Sequence, residues 1–260
     1  MSGALRASFR TLRVFLYLWY GIWLTLRYGS WDGLDQRLHA ARRRWYRRAL
    51  QWSGVEIEST GRLVDGPALV VANHVSWLDI PVLGTSSDVR FLSKSEIARW
   101  PLIGWLARRN GTLFIRRGAH ESETIIRDIT AALRAGQQVA IFPEATTTRG
   151  DEVRHFHARL FAAAIESGAP VQPVAFDYGR EPDGSPPAAS YSGGDRLVPH
   201  AWRLLSRENT AVRLHILPPL PVTPGMTRRE LARQAHRAVC AALALPDRNG
   251  AEAANNDGAE

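Results

Sequence analysis

The 260-residue sequence is short of cysteine, of lysine and of long charge-free runs. Its one cysteine, Cys240, excludes an internal disulfide and a thiolate metal cluster, and it permits a reducing compartment. Cys240 lies in the apolar run Ala238 to Ala242 and is expected to be a small buried hydrophobe. The apolar stretch at residues 14–26 has only 13 residues, and the composition, 45% hydrophobic and 22% charged, excludes a multi-pass membrane protein. Lysine occurs once, at Lys94, so the basic character comes from arginine. Acidic residues are scarce at one end: within residues 1–52 only Asp32 and Asp35 offset ten arginines. The whole net charge of +8 therefore lies there, and the remaining chain sums to zero. A nucleic-acid-binding body would spread its positive charge, so the expected partner is an anionic membrane lipid and not nucleic acid. What is present is ordinary for a folded domain: 45% hydrophobic and 22% charged residues, at a length that supports one sizeable core.

Residues 1–53 read as a basic, aromatic anchor. A 13-residue helix over 14–26 would cover about 20 Å of a hydrocarbon core about 30 Å thick, so it predicts an interfacial or partly inserted helix. Tyr17, Trp19, Tyr20 and Trp23 are types that favour the headgroup level. No small-residue cleavage site follows at Arg27-Tyr28-Gly29-Ser30, so the stretch is not expected to be a cleaved signal. Over 34–52, Leu34, Leu38, Ala41, Trp45, Ala49 and Trp52 recur at helical spacing among arginines, which predicts a second, basic amphipathic helix. A helix packed on the protein body with a solvated arginine face fits the same pattern.

Residues 54–245 change character. Short β-rich runs at 55–58, 68–73, 89–93, 112–116, 138–142, 171–176 and 212–217 alternate with helical stretches, which predicts an α/β domain. The clearest helices are 120–135, closed by Gly136, and one running from Thr227, whose Thr-Arg-Arg-Glu reads as a capping box, to about Leu245. Residues 179–196 read as a Gly/Pro/Ser-rich surface loop, and 246–260 as a disordered tail.

Two groups of polar residues each follow a strand directly. In Asn73-His74-Val75-Ser76-Trp77-Leu78-Asp79, a histidine and a carboxylate five residues on can form a general base and the group that orients it. A structural histidine gives the same spacing. Phe142-Pro143-Glu144-Ala145-Thr146-Thr147-Thr148-Arg149 sets a carboxylate, hydroxyls and a guanidinium where α/β folds place ligands, although a polar turn would read alike.

Taken together, the motifs resemble the glycerolipid acyltransferase family, the lysophospholipid acyltransferases, over roughly residues 55–220. His74 and Asp79 match its His-x4-Asp; Gly111 to Arg117 match Gly-x-x-Phe-[Ile/Val]-x-Arg; FPEAT at 142–146 matches Phe-Pro-Glu-Gly-Thr with Ala145 for Gly; and 170–175 matches a Val-Pro-Val block. The resemblance implies a mixed sheet covered by helices, with His74 as base and Asp79 as its partner. It further implies substrate contacts from Gly111, Arg117, Glu144, Thr146 and Lys94, and an acyl-donor association for 170–175. His74 would deprotonate a lysophospholipid hydroxyl that attacks the thioester of acyl carrier protein or acyl-coenzyme A. Such a thioester is already activated, so neither cofactor nor metal is expected, and His155-x-His157 lacks an obvious third ligand. The favoured acceptor is 1-acyl-sn-glycerol-3-phosphate, with a lyso-amino-acid lipid as the alternative. That alternative rests on two departures from the family pattern: Thr147 stands where many members have Arg, and Phe156-His157-Ala158-Arg159 where many have a basic residue and Gly. The rivals are a non-catalytic membrane scaffold and a hydrolase using Ser76. The implied location is the cytoplasmic face of a bacterial inner membrane.

Overall fold

A computed structural model describes residues 2–28, 36–115 and 119–247, without the side chains of 28, 36–38 and 119–122. Arg117 and all of the tail beyond Asp247 lie outside the described residues.

Among the described residues, seven strands form one sheet: β1 (Val55–Thr60), β2 (Ala68–Ala72), β3 (Arg90–Lys94), β4 (Leu113–Ile115), β5 (Gln138–Ile141), β6 (Val171–Asp177) and β7 (Thr210–Ile216), in the order β1-β7-β6-β2-β5-β3-β4. Every pairing is parallel except β6 with β7, so the expected mixed sheet is present. β2 lies at its centre and is buried along its whole length, which explains an unbroken Ala-Leu-Val-Val-Ala where a half-exposed strand would alternate. Its side chains divide between two cores. Leu69 and Val71 pack with Ile125, Ile129 and Leu133 on one face, and Val70 and Ala72 with Leu78, Val82 and Leu83 on the other.

The helices are α1 (Gly3–Tyr28), α2 (Gln36–Trp52), α3 (Asp79–Leu83), α4 (Ile103–Arg109), α5 (Ala119–Arg134), α6 (Ala162–Ser167), α7 (Leu197–Ser206) and α8 (Arg228–Ala242). At α8 the Thr227 side chain accepts a bond from the Glu230 N–H, as the capping box predicts. Gly136 follows α5 with φ +81°, a left-handed turn that glycine adopts without strain. Among the described residues, no helix is long and apolar enough to cross a membrane.

The N-terminal helices depart from expectation in two ways. First, α1 has 26 residues, twice the uncharged stretch, because its arginines find partners on the body. Arg6 donates to the Ser206 carbonyl at 3.0 Å, and Arg10 donates to the Arg207 and Glu208 carbonyls at 2.7 and 2.8 Å, so both cap the C-terminal end of α7. Second, the arginines of α2 do not form one solvated face. Arg42 is buried, Arg43 pairs with Asp88, and Arg44, Arg47 and Arg48 are exposed. The helix pair is joined through aromatic rings: Tyr17 contacts Trp52 at 4.6 Å between centroids, and the Trp45 indole N–H donates to the Tyr17 carbonyl at 3.0 Å. A Cβ on Gly21 would lie 2.7 Å from the Trp45 ring, so only glycine allows this approach. The opposite face of α1 exposes Phe9, Leu12, Leu16, Trp19, Trp23 and Leu26 at helical spacing.

Candidate active site

The site forms where the parallel strands β2, β5 and β6 end together, the edge at which α/β sheets hold ligands. Asn73 ends β2 with a side chain committed to structure. Its amide donates to the Phe176 carbonyl at 3.0 Å and its carbonyl accepts from the Phe176 N–H at 2.8 Å, which ties the end of β2 to β6. The next residue, His74, therefore projects from a rigid position, and its ring stacks on Phe142 with centroids 4.0 Å apart.

Asp79, the first residue of α3, is fully buried. Its Oδ2 lies 2.8 Å from His74 Nδ1 and also accepts the N–H groups of Val75 and Ser76 at 2.8 and 3.0 Å. Its Oδ1 accepts the Tyr178 hydroxyl at 2.7 Å. A carboxylate can only accept, so Nδ1 of His74 carries the proton and Nε2 presents a lone pair. His74 keeps a partly exposed side chain at 19%, open to a substrate on the Nε2 side while Nδ1 is held. The paired carboxylate stabilises the imidazolium formed when Nε2 takes a proton.

Glu144, at the end of β5, faces inward. It is 3% exposed; its Oε1 accepts the His74 N–H at 2.7 Å and its Oε2 the Arg154 N–H at 2.8 Å. Burial drives its pKa up to about 8, against the two backbone bonds that favour the carboxylate. It thus joins the histidine turn to the segment at 154. Ala145 follows with φ +58°, the left-handed conformation, which explains why the resembling motif carries glycine there. Thr148 is buried, and its N–H donates to the His74 carbonyl at 2.8 Å. Ala145, Thr146 and Arg149 are the exposed residues of the loop.

The other sequence-predicted positions divide by sheet edge. Lys94 ends β3 and is exposed on the same C-terminal edge as His74, and Arg117, two residues beyond β4, is outside the described residues. Gly111 precedes β4 and so sits toward the opposite edge. It has φ +73°, and its carbonyl accepts from Arg90 Nε at 2.7 Å, so the geometry gives it a turn to make and does not bring it to His74. The 170–175 block forms the buried body of β6, and its neighbours Phe176 and Tyr178 hold Asn73 and Asp79. Ser76 is fully buried and its Oγ accepts the Leu78 N–H at 3.3 Å, an arrangement that closes it to a substrate carbonyl. Sequence reasoning missed Tyr178, Thr148 and Asn73. Asn73 and Thr148 stand inside the quoted motifs, but Tyr178 lies a hundred residues from Asp79 and nothing local marks it.

Beside α3, an apolar cavity of about 250 Å³ opens between the helix pair and the sheet, lined by Leu18, Leu24, Ile80, Phe91, Ile103 and Leu106. His236 and Cys240 on α8 and Asp247 beyond its end bring a ring nitrogen, a sulfur and a carboxylate oxygen together. Sγ is 3.7 Å from both ring nitrogens, a position over the ring face and not along either lone pair. Burial also pushes the thiol up to about 11, which disfavours the thiolate a metal would need.

Comparison with known proteins places this geometry. The acyltransferase family matches residues 54–177. The lyso-ornithine lipid O-acyltransferase of Pseudomonas aeruginosa is 45% identical over 230 residues, covering 85% of this chain and 88% of that protein. The chain belongs to the acyltransferase family. It is an enzyme of that family. The 1-acyl-sn-glycerol-3-phosphate acyltransferase of Neisseria meningitidis is 38% identical over 148 residues, 56% of this chain and 57% of that one. In fold, the crystal structure of the 1-acyl-sn-glycerophosphate acyltransferase of Thermotoga maritima superposes with a TM-score of 0.70 at 21% identity, covering 92% of this chain and 94% of that one.

Proposed function

We propose that this acyltransferase is a lyso-ornithine lipid O-acyltransferase that uses His74 as general base. The alternative acceptor class of the sequence reading thereby takes precedence over 1-acyl-sn-glycerol-3-phosphate. The observation that carries the choice is the extent of likeness: 85% of the chain matches a lyso-ornithine lipid enzyme at 45% identity, against 56% matching a glycerophosphate enzyme at 38%. Thr147 supports it, since an acceptor without a phosphate does not need the guanidinium that many phosphate-binding relatives have there.

In this reading Nε2 of His74 removes the proton from the acceptor hydroxyl as its oxygen attacks the thioester carbon of acyl carrier protein or acyl-coenzyme A. The C–S bond breaks, the thiol leaves with the proton returned by the imidazolium, and an ester remains. Asp79 stabilises that imidazolium, Glu144 and Thr148 hold the main chain of His74, and the cavity beside α3 takes an acyl chain. Lys94, Arg117, Thr146 and Arg149 stand on or next to the open edge as candidates for headgroup contact. The exposed apolar row of α1 and the outward arginines of α2 dock the enzyme on an anionic leaflet at the cytoplasmic face of the inner membrane, so the lipid enters from the side.

The test is transfer of a labelled acyl group in anionic vesicles to lyso-ornithine lipid and to 1-acyl-sn-glycerol-3-phosphate, from each thioester donor. Preferential acylation of the ornithine lipid is expected, and exclusive formation of phosphatidic acid would return the acceptor to the glycerophosphate class.

A further inference from the structure

We propose that Tyr178 is a positioning residue for acyl transfer: its hydroxyl completes the hydrogen-bond shell of Asp79 and so sets how strongly that carboxylate holds the His74 imidazolium. The inference rests on the assignment of His74 as base.

The geometry separates the two oxygens of Asp79. Oδ2 faces His74 Nδ1 and the Val75 and Ser76 N–H groups, all contributed by the same seven-residue turn. Oδ1 is reached from elsewhere in the chain, by Tyr178, the first residue after β6. Because Asp79 is fully buried, water does not replace that bond if it is lost. Burial and the neighbouring Asp79 both raise the phenol's pKa well above its ordinary value, so Tyr178 remains a proton donor over any working pH. The same end of β6 carries Phe176, whose main chain clamps Asn73. β6 therefore fixes both partners of the dyad, the histidine through Asn73 and the carboxylate through Tyr178.

The consequence is electrostatic. A phenol donating to Oδ1 draws charge from the carboxylate, so less negative charge faces the imidazolium. Without it, more negative charge faces the ring and the imidazolium is held more tightly. The other titratable and charged groups around the dyad are the Glu144 carboxyl, bonded to the His74 N–H; His200 on α7, reached through the Trp77 indole; and the Asp177–Arg213 pair beside Tyr178. None of these changes when only the phenol is altered.

The experiment compares the pH dependence of kcat and kcat/KM of full-length enzyme on lyso-ornithine lipid for wild type, His74→Ala, Tyr178→Phe and enzyme carrying 3-fluorotyrosine at position 178. Tyr178→Phe is expected to lower kcat about tenfold with little change in KM, because Asp79 loses the bond that fixes its orientation against His74, and to move the acid limb upward by about half a unit to one unit. The fluorinated ring, a stronger donor of the same shape, should move that limb downward. An unmoved limb in both variants, with or without a lowered melting temperature, would overturn the proposal and leave Tyr178 a packing residue. If His74→Ala retains activity, it is the base assignment that fails, a result distinct from normal pH profiles in an enzyme that needs His74.

Discussion

Asp79 Oδ2 lies 2.8 Å from His74 Nδ1 and is simultaneously bonded by the two backbone N–H groups between them, so one short turn both builds the dyad and orients it. A five-residue separation suffices because β2 ends just before His74 and α3 begins at Asp79. The intervening turn brings the carboxylate to Nδ1 at the edge of the ring.

Asp79→Asn should cost at least about a hundredfold in turnover. The neutral amide carries no charge to stabilise the imidazolium, and an Asn nitrogen turned toward the ring favours the tautomer with the proton on Nε2, which removes the base. His74→Ala should fall as far, because general-base assistance is worth roughly 10²–10⁴. Steady-state rates beside melting temperatures separate this from unfolding.

Glu144 should make stability depend on pH. Its pKa in the folded protein, about 8, lies above its ordinary value of 4.5, so the folded state binds this proton more tightly than the unfolded chain does. The contribution is complete below about 4.5, declines as pH rises, and is lost on passing through about 8. Wild type should therefore lose stability from pH 5 to pH 9 relative to Glu144→Gln, whose neutral amide does not titrate, so the urea midpoints of the two should lie close together at pH 5 and diverge at pH 9.

Ala145→Gly should stabilise the protein, against the usual sense of that substitution. At φ +58° the alanine Cβ is strained by roughly 1–2 kcal/mol, which outweighs the roughly 0.4–1 kcal/mol that glycine costs through the unfolded chain. A melting temperature raised by a degree or two is the expected result.

Trp19→Ser with Trp23→Ser should weaken binding to anionic vesicles at least tenfold while leaving the melting temperature close to wild type. Both rings are more than half exposed on α1, at 59% and 54%, so their loss removes area available to lipid and little packing. Vesicle co-sedimentation at two salt concentrations reads the effect and its electrostatic share.

Much of this was legible in the chain. Each of the seven strands was marked by a run of β-branched and aliphatic residues, and α5 and α8 by their periodicity and by Gly136 and Thr227. The short helices α3, α4, α6 and α7 were not, because five to ten residues hold too few turns for a periodic signal. The length of α1 was missed because Arg6, Arg10 and Arg13 interrupt its apolar pattern, and their partners on α7 and Trp52 are distant in sequence.

The candidate site divides in the same way. His74, Asp79 and Glu144 were marked by two polar groups that each follow an apolar strand, because a parallel sheet places such strand ends on one edge. The sequence by itself thus determined the α/β class, the pairing of a histidine with a carboxylate five residues on, and the concentration of positive charge in the first 52 residues. Only the tertiary structure decided that Glu144 turns inward to hold the main chain of His74, that Gly111 belongs to a turn at the other edge, and that Tyr178 reaches Asp79. The reason is physical: local pattern records which residues must be buried or must bend, whereas the partner of a buried polar group is set by strand order, which brings β6 beside β2 from a hundred residues away.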